Sequence, residues 1–407
     1  MRILVVTQYF WPEIFQINNL VKGLHEGGHH VTVLTGKPNY PSGSFHPGYG
    51  FFKKNRDDYD GIEVIRVPLL PRRSGAGLHL ILNYLSFVFF ASVIAPFRCN
   101  SDYEVIFVYE PSPVTVGIPA LLLKKLKKVP VIFWVQDLWP ESLSATGAIN
   151  SPGLLKLVEG LVRYIYRRCD LILIQSQKFR SSIEKHDVES DKIKYFPNSA
   201  EDIYKPVVLQ KSAPELDKMP DGFRVMFAGN IGVSQDFNTI LDAAEKLKTY
   251  SDIHWLILGD GRMLPWVNEQ IEKRALSDTF HLLGRHPVKS MPCYFSLADV
   301  MLVTLKKELI FSLTVPAKVQ SYLACSKPLI AVLDGEGARI VNEAGAGLAT
   351  EPENSDKLVD AVLEMYHMSE EDRQEMGKRG RQYFELNFQR DKLLEKLEVW
   401  LQELTGR

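Results

Sequence analysis

The sequence predicts an α/β protein made of two Rossmann-like, doubly wound domains facing across a cleft. Three observations carry that reading. Short unbroken apolar runs alternate with helical patterns along nearly all 407 residues, which suits strands covered on both faces of a parallel sheet. The alternation pauses once, at residues 197–222, where Pro197, Pro206, Pro214 and Pro220 punctuate a stretch with little apolar periodicity. Beyond that linker two apolar runs, Val225–Ala228 and Trp255–Leu258, each end in a glycine turn that opens a helical pattern. Such a turn lets backbone approach an anion, which the dipole and free N–H groups of the helix start then favour.

In the first half, strands are expected at Ile3–Thr7, Val31–Thr35, Glu63–Val67, Val105–Tyr109, Val131–Val135, Leu171–Gln175 and Lys194–Phe196. Helices fall between them at Gln16–Glu26, Leu78–Ala95, Val116–Lys127, Gly153–Arg168 and Lys178–Lys185. In the second half the strands are Arg224–Phe227, His254–Leu258, Phe280–Leu282, Val300–Thr304, Leu329–Val332 and Ala349–Thr350. Its helices are Phe237–Thr249, Leu264–Lys273, Met291–Leu297, Pro316–Ala324, Ala338–Ala344 and Ser355–Met365, with two more over residues 369–404. The expected domains are 1–200 and 201–386, with 387–407 a helix returning to the first. Ligands of open α/β sheets lie beyond the carboxyl ends of the strands, which puts the expected site in the cleft.

Hydrophobic residues make up 45% and charged residues 24% of the chain, the balance of a soluble globular enzyme. The net charge of -1 hides an asymmetry: residues 1–200 hold 23 Lys and Arg against 17 Asp and Glu, the rest 25 against 32. A basic half on an acidic one suggests that the first faces an anionic surface; no nucleic-acid partner is expected. Cys99, Cys169, Cys293 and Cys325 are scattered and form no CxxC, so reduced thiols are expected. Met1–Phe10 reads as a strand and not as a signal peptide. The ten histidines show no metal-ligand spacing.

Two segments stand apart. Leu78–Phe97 carries no charge and is flanked by Arg72, Arg73 and Arg98. Three placements are open for it: buried in the first domain, partly sunk into a membrane face, or spanning the bilayer. Residues 39–60 form a long loop with Tyr40, Phe45, Tyr49, Phe51, Phe52 and Tyr59 among Lys53, Lys54 and Arg56, a composition that suits sugar stacking or a phosphate-bearing lipid.

Neither glycine turn matches GxGxxG or the P-loop pattern. Together with other segments, however, the turns Phe227-Ala228-Gly229-Asn230-Ile231-Gly232 and Leu258-Gly259-Asp260-Gly261-Arg262 carry a resemblance. The others are Gln8-Tyr9-Phe10-Trp11-Pro12-Glu13, the run from Gly27 to Thr35, Phe196-Pro197-Asn198, and the run from Tyr322 to Ala331. The chain resembles the family-4 retaining glycosyltransferases of the GT-B fold over nearly its whole length. Val135 to Ser142 and Pro316-Ala317-Lys318-Val319 are similar to the branch that builds bacterial O-antigen and capsule, which includes N-acetyl-L-fucosaminyl transferases.

The resemblance implies transfer of a sugar from a nucleotide-sugar donor, UDP-linked, to a lipid-linked saccharide, with retention and without a metal or other cofactor. It places the enzyme in the cytoplasm, peripherally on the inner face of the membrane. The chain departs from the family pattern in several places. The two usual glutamates before the Ala-Cys-Gly-Lys-Pro helix fall near Leu313 and Ser321, neither acidic, so that Ser321 or Gln320 stands where a ribose-binding carboxylate is usual. The frequent Arg and Lys after the first strand of the second domain are replaced by Asn230 and by Ser234-Gln235, and the first-domain Gly-Gly loop by Phe15-Gln16.

A transferase must stabilise a departing diphosphate, and without a metal that falls to cations and N–H donors. Lys318, in the first turn of the helix at Pro316, is the leading candidate, with the Thr314 and Val315 amides before it. Arg262 could reach the phosphates or the base, and Arg285 could stack on uracil. Gly229, Asn230, Gly232 and Ser321 complete the expected donor set. Asp137 and Glu110 end strands of the first sheet, where a carboxylate could take the proton of the attacking hydroxyl. Asp137 could instead cap the following helix. Tyr9, Glu13, Gln16 and Asn18 are the expected acceptor contacts. Two rival readings stay open: a GT-B sugar-nucleotide epimerase, and a catalytically inactive partner subunit.

Overall fold

The computed structural model describes residues 1–73, 77–100, 102–145, 149, 151–210 and 213–406. The chain forms two units, Met1–Asn198 with Arg390–Arg407, and Ser199–Gln389.

Unit 1 is a sheet of β1 (Arg2–Val6), β2 (His30–Thr35), β3 (Arg56–Tyr59), β4 (Ile62–Arg66), β5 (Val105–Glu110), β6 (Val131–Val135), β7 (Leu171–Ile174) and β8 (Ile193–Tyr195). Its order is β3-β4-β2-β1-β5-β6-β7-β8, all parallel except the edge pair β3–β4. The helices are α1 (Gln16–Glu26), α2 (Gly77–Arg98), α3 (Gly117–Lys127), α4 (Glu141–Ala145), α5 (Pro152–Tyr166) and α6 (Phe179–Glu184). Ile17, Leu20, Val21 and Leu24 recur at helical spacing and bury one stripe of α1.

Unit 2 is a parallel sheet of β9 (Phe223–Ala228), β10 (Ile253–Leu258), β11 (Phe280–Gly284), β12 (Val300–Thr304), β13 (Leu329–Val332) and β14 (Gly347–Thr350). The order is β11-β10-β9-β12-β13-β14. Its helices are α7 (Phe237–Lys246), α8 (Leu264–Lys273), α9 (Met291–Ser296), α10 (Leu309–Leu313), α11 (Ala317–Ala324), α12 (Gly335–Glu343), α13 (Ser355–His367) and α14 (Glu370–Asn387). Strand order reverses between β1 and β5 in unit 1 and between β9 and β12 in unit 2, where open α/β sheets bind ligands.

The last helix, α15 (Arg390–Thr405), belongs to unit 1. Leu393, Leu397 and Leu401 join the core that holds α1. His29 Nε2 lies 2.8 Å from Glu398 and Arg390 lies 3.4 Å from Glu26, and Gly23 lets the Leu394 side chain close on α1.

Full burial of the charge-free segment is corrected. On α2 only Asn83, Phe87, Ala91 and Ala95 are buried, one stripe at every fourth residue. Asn83 docks it, accepting from Gln8 Nε2 at 2.7 Å and donating to Leu70 O at 2.5 Å. The helix is long and apolar enough to cross a membrane, yet most of its apolar surface is exposed. The aromatic loop is also more ordered than expected: its end is β3, missed because Arg56-Asp57-Asp58-Tyr59 lacks an apolar run. Its basic and aromatic groups are largely occupied. Tyr49 donates to Asp57 at 2.5 Å, Lys54 and Arg66 lie over the Tyr49 ring, and Lys37 Nζ holds the Lys53 and Lys54 carbonyls.

Leu397 of α15 is fully buried in the unit 1 core, so Leu397→Ala should cost about 2–5 kcal/mol of unit 1 stability. Denaturant unfolding that leaves the midpoint within error of wild type would show that α15 does not brace this unit.

Candidate functional site

In unit 2 the polar end is built from glycines. Gly229 and Gly259, at φ +146° and +145°, follow β9 and β10 directly. The Gly229 N–H donates to Leu258 O at 2.8 Å, and Ile231 N–H to Asp260 O at 2.8 Å, so the two turns are stitched together. A Cβ on Gly259 would stand 1.8 Å from the Gly229 oxygen, and one on Gly261 would stand 2.3 Å from the Ile231 oxygen. Only glycine permits this stacking. Beside it is a cavity of about 320 Å³ lined by Gly229, Asn230, Gly259, Asp260, Arg285, His286 and Met291.

Lys318 meets the same turn from α11. A Cβ on Gly229 would fall 2.5 Å from Lys318 Cε. The ammonium donates to Gln235 Oε1 and sits 3.5 Å from the Phe227 ring centroid. Loss of solvent around it holds its pKa well below the usual lysine value, with no carboxylate to offset the loss. A half-buried, desolvated lysine without a counter-charge is poised to take up a proton against an anion.

Tyr322, one turn along α11 from Lys318, explains how the helix is held there. The β9–β12 ladder ends at Met226↔Met301, leaving Ala228 without a strand partner on that side. The Tyr322 hydroxyl fills the gap, accepting from Ala228 N–H at 3.0 Å and donating to its carbonyl at 3.1 Å.

Unit 1 presents carboxylates at the equivalent place. Glu110 ends β5 and is fully buried, with the Asp137 and Gln136 backbone N–H groups beside its carboxyl as its polar neighbours. Burial first and Asp137 second push its pKa well above the usual range, against an opposing effect of the Asp137 and Gln136 amides. Asp137, just past β6, accepts from Ser142 Oγ at 3.1 Å and Trp139 Nε1 at 3.3 Å. Burial raises it to about 6 despite those bonds. Among the described residues no group of three His, Cys, Asp or Glu side chains gathers to hold a metal.

Comparison with known proteins fits this geometry. Residues 15–199 match the glycosyl transferase 4-like domain, and residues 210–383 match the glycosyl transferases group 1. The chain belongs to the GT4-like, GT-B glycosyltransferases. WbjE of Pseudomonas aeruginosa, named as a glycosyltransferase, is 26% identical over 58% of this chain and 60% of its own length. WcaI of Escherichia coli K12, assigned to colanic acid biosynthesis, is 22% identical over 89% of this chain and 91% of its own. The crystal structure of HepE from Anabaena in complex with UDP superposes with a TM-score of 0.69 at 14% identity, covering 99% of this chain and 100% of that one. WaaG, a glycosyltransferase involved in lipopolysaccharide biosynthesis, gives 0.66 at 12% identity, with both chains fully covered.

Within this glycosyltransferase, Gly229, Asn230 and Arg285 line one cavity, while Lys318 touches its Gly229 wall. Gly232 closes the same turn, where an added Cβ would meet Asn230 Nδ2 at 2.5 Å. Arg262 is exposed and does not line that cavity. Thr314 N–H is taken by Phe311 O at 3.3 Å, and Val315 is buried in the core. Ser321 Oγ donates back to Ala317 O at 3.1 Å. In unit 1, Glu13 is buried and holds backbone: it accepts from Asn39 N and Tyr40 N at 2.7 Å each, and from Phe10 N at 3.3 Å. Tyr9 is buried beneath Arg72 and stacks on Phe15, and Asn18 donates to Glu13 O. These three also brace the loops after β1, and Gln16 and Asn18, both on α1, are partly exposed. Asp137 bonds the side chain of Ser142, in the first turn of α4, and the Trp139 ring N–H. Sequence reasoning gave no role to Tyr322, Gln235 or His286, although Tyr322 opens a run that carries the resemblance and Gln235 stands where a cation is frequent in the family. Only the helical spacing of Lys318 and Tyr322 on α11 could have paired them.

The native state retains the Glu110 proton to higher pH than the unfolded chain does. Wild-type stability therefore falls as pH rises from the unfolded carboxyl pKa towards the raised folded one. Glu110→Gln abolishes this titration, so its stability relative to wild type should grow from acid to neutral pH. Urea midpoints that differ by a constant amount across that range would contradict a desolvated Glu110.

Proposed function

We propose that the protein transfers a sugar, N-acetyl-L-fucosamine being one candidate, from a UDP-sugar to a hydroxyl of a lipid-linked saccharide, with retention, in bacterial O-antigen or capsule synthesis. The observation that carries this reading is Lys318: a desolvated lysine without a carboxylate, against a glycine turn that only a Cβ-free residue can form. HepE supports it, since that neighbour has been crystallised with UDP. WcaI and WaaG support the polysaccharide setting through colanic acid and lipopolysaccharide synthesis.

Unit 2 takes the donor. The diphosphate lies along the Gly229 and Gly259 turns with Lys318 at the leaving oxygen, and Arg285 stacks on the base. In the transfer, the bond from the anomeric carbon to the diphosphate oxygen breaks and a bond to the acceptor oxygen forms on the same face. The acceptor proton passes to the departing phosphate or to Asp137. Glu110, held protonated, keeps a second negative charge away from Asp137. Charge stabilisation is assigned to side chains and N–H groups, without metal or other cofactor. Unit 1 takes the acceptor at the inner face of the cytoplasmic membrane, with Gln16 and Asn18 the partly exposed members of the expected set. The exposed apolar surface of α2 favours a lipid-linked acceptor over an epimerase acting on free nucleotide sugars.

Lys318→Ala should lower turnover by about 10²–10³-fold, the typical effect of one preorganised charge-stabilising donor. UDP binding should also depend on pH. The depressed lysine must take up a proton to meet the diphosphate, so wild-type affinity should fall as pH rises above the pKa of the empty site, by about tenfold per pH unit. Calorimetry of Lys318→Ala should show a flat profile; a wild-type profile in that variant would remove Lys318 from the site.

Asp137→Asn should cost about 10²–10⁴-fold in rate if the carboxylate receives the proton. The wild-type rate should rise with pH through about 6, where Asp137 ionises. Retention of that ascending limb in Asp137→Asn would assign the titration elsewhere.

A further inference from the structure

The surface formed by α2, α3 and α5 of unit 1 combines two features that no donor or acceptor role uses. The first is a ridge. Leu78, Ile81, Leu85, Phe89, Val93 and Phe97 follow one another at three- and four-residue steps along α2, with Phe89 61% and Phe97 88% exposed. Soluble monomers rarely leave so continuous an apolar strip in water. The ridge is one-sided. Asn83, Phe87, Ala91 and Ala95 lie packed on the opposite side, and Asn83 bonds Gln8 and Leu70 O. A spanning helix would have to give up those contacts; a helix lying in the plane of an interface keeps them.

The second is a groove of about 1060 Å³ that starts at Ser92 of α2 and runs between the carboxyl ends of α3 and α5. Its walls carry Lys125, Lys128, Arg167, Arg168 and Lys192 beside the Lys124–Asp170 pair, with Leu122 and Tyr164 among them. The side chains of Lys125 and Lys128 are exposed and form no ion pair or hydrogen bond among the described residues. Arg168 lies on the Tyr164 ring at 3.8 Å and has no carboxylate partner among the described residues. Arg167 and Lys192 reach Asp187 and Glu189 at 3.8 and 2.9 Å. Two lysines of the same run are engaged within the fold. Lys124 is held by Asp170 at 2.6 Å, and Lys127 donates to Cys99 O at 3.0 Å, tying α3 to the end of α2.

We propose that this face docks the protein on an anionic phospholipid bilayer, with the α2 ridge in the acyl boundary and lipid phosphates seated in the groove among Lys125, Lys128 and Arg168. The proposal rests on the membrane-borne acceptor read above and names the element that would hold the enzyme there. Charge complementarity selects this occupant. A second copy would set one cationic groove against another, whereas an anionic leaflet attracts every cation in it. The apolar ridge beside the groove matches the division of a bilayer into headgroup and acyl layers.

Co-sedimentation of the full chain with vesicles tests this. Wild type should bind an equal mixture of phosphatidylcholine and phosphatidylglycerol and not phosphatidylcholine alone, and added salt should release it. Replacing Lys125, Lys128 and Arg168 together by Glu should weaken binding to the mixed vesicles at least about tenfold. Phe89→Asn with Phe97→Asn should weaken it too while leaving its salt dependence in place. All five positions are exposed on the surface, and an unchanged melting temperature verifies folding. Inorganic phosphate at equal ionic strength should release no more protein than chloride; specific release by phosphate would make the groove a free-anion site and overturn the docking. Equal binding to both vesicle types would overturn the groove's part. Absence of vesicle binding, with dimers in sedimentation, would make this face an interface between copies. Transfer to a short water-soluble acceptor should be unaffected in these variants. A wild type that docks on vesicles but transfers no sugar to any acceptor would remove the enzymatic reading and leave the docking standing.

Discussion

Each parallel sheet stops pairing early where its strand order reverses, and both polar ends follow from that parting. In unit 2 the β9–β12 ladder ends at Met226, while β9–β10 continues to Ala228. In unit 1 the β1–β5 ladder ends at Val6↔Val108, while β5–β6 continues to Glu110. Ala228 and Glu110 thus stand at matching registers, two residues past the last bond across the reversal. Backbone left unpaired inside a protein must find another partner. At Ala228 that partner is the Tyr322 hydroxyl, and it brings Lys318 to the Gly229 turn.

The two partings are filled with opposite chemistry. Unit 2 desolvates a half-buried lysine with no carboxylate beside it; unit 1 buries a glutamate with only backbone amides and a second carboxylate beside it. Either feature costs stability where it stands, since a desolvated ionisable group without compensation is unfavourable. Uncompensated groups of this kind concentrate where a ligand or a reaction supplies what is missing. The expense is carried by large cores: unbroken buried strands in both sheets, and in unit 1 an additional leucine stripe from α15.

Unit 1 also separates its functions by helix face. α2 is apolar all round, and a single asparagine decides which side docks, because a buried amide must be bonded. The basic run after Leu123 is divided similarly. Lys124 and Lys127 point to a carboxylate and a carbonyl of the fold, while Lys125 and Lys128 point outward.

Periodicity alone determined the fold class, the order of the long elements and the two glycine turns. Strands buried on both faces must be apolar at every position, and a turn that stacks on another must lack Cβ. It did not reveal β3, α4 or α10, which are short and carry little apolar pattern. Lys318, Glu110 and Asp137 were legible as residues of the right type at the ends of elements. Their desolvation was not, because burial of an ionisable group depends on what the rest of the chain packs around it. The bracing roles of Glu13, Tyr9 and Asn18, the Tyr322 clamp and the one-sided docking of α2 were decided by tertiary structure. Each rests on contacts between segments distant in sequence, such as Tyr322 with Ala228 and Asn83 with Gln8, and no local pattern encodes which distant group will arrive.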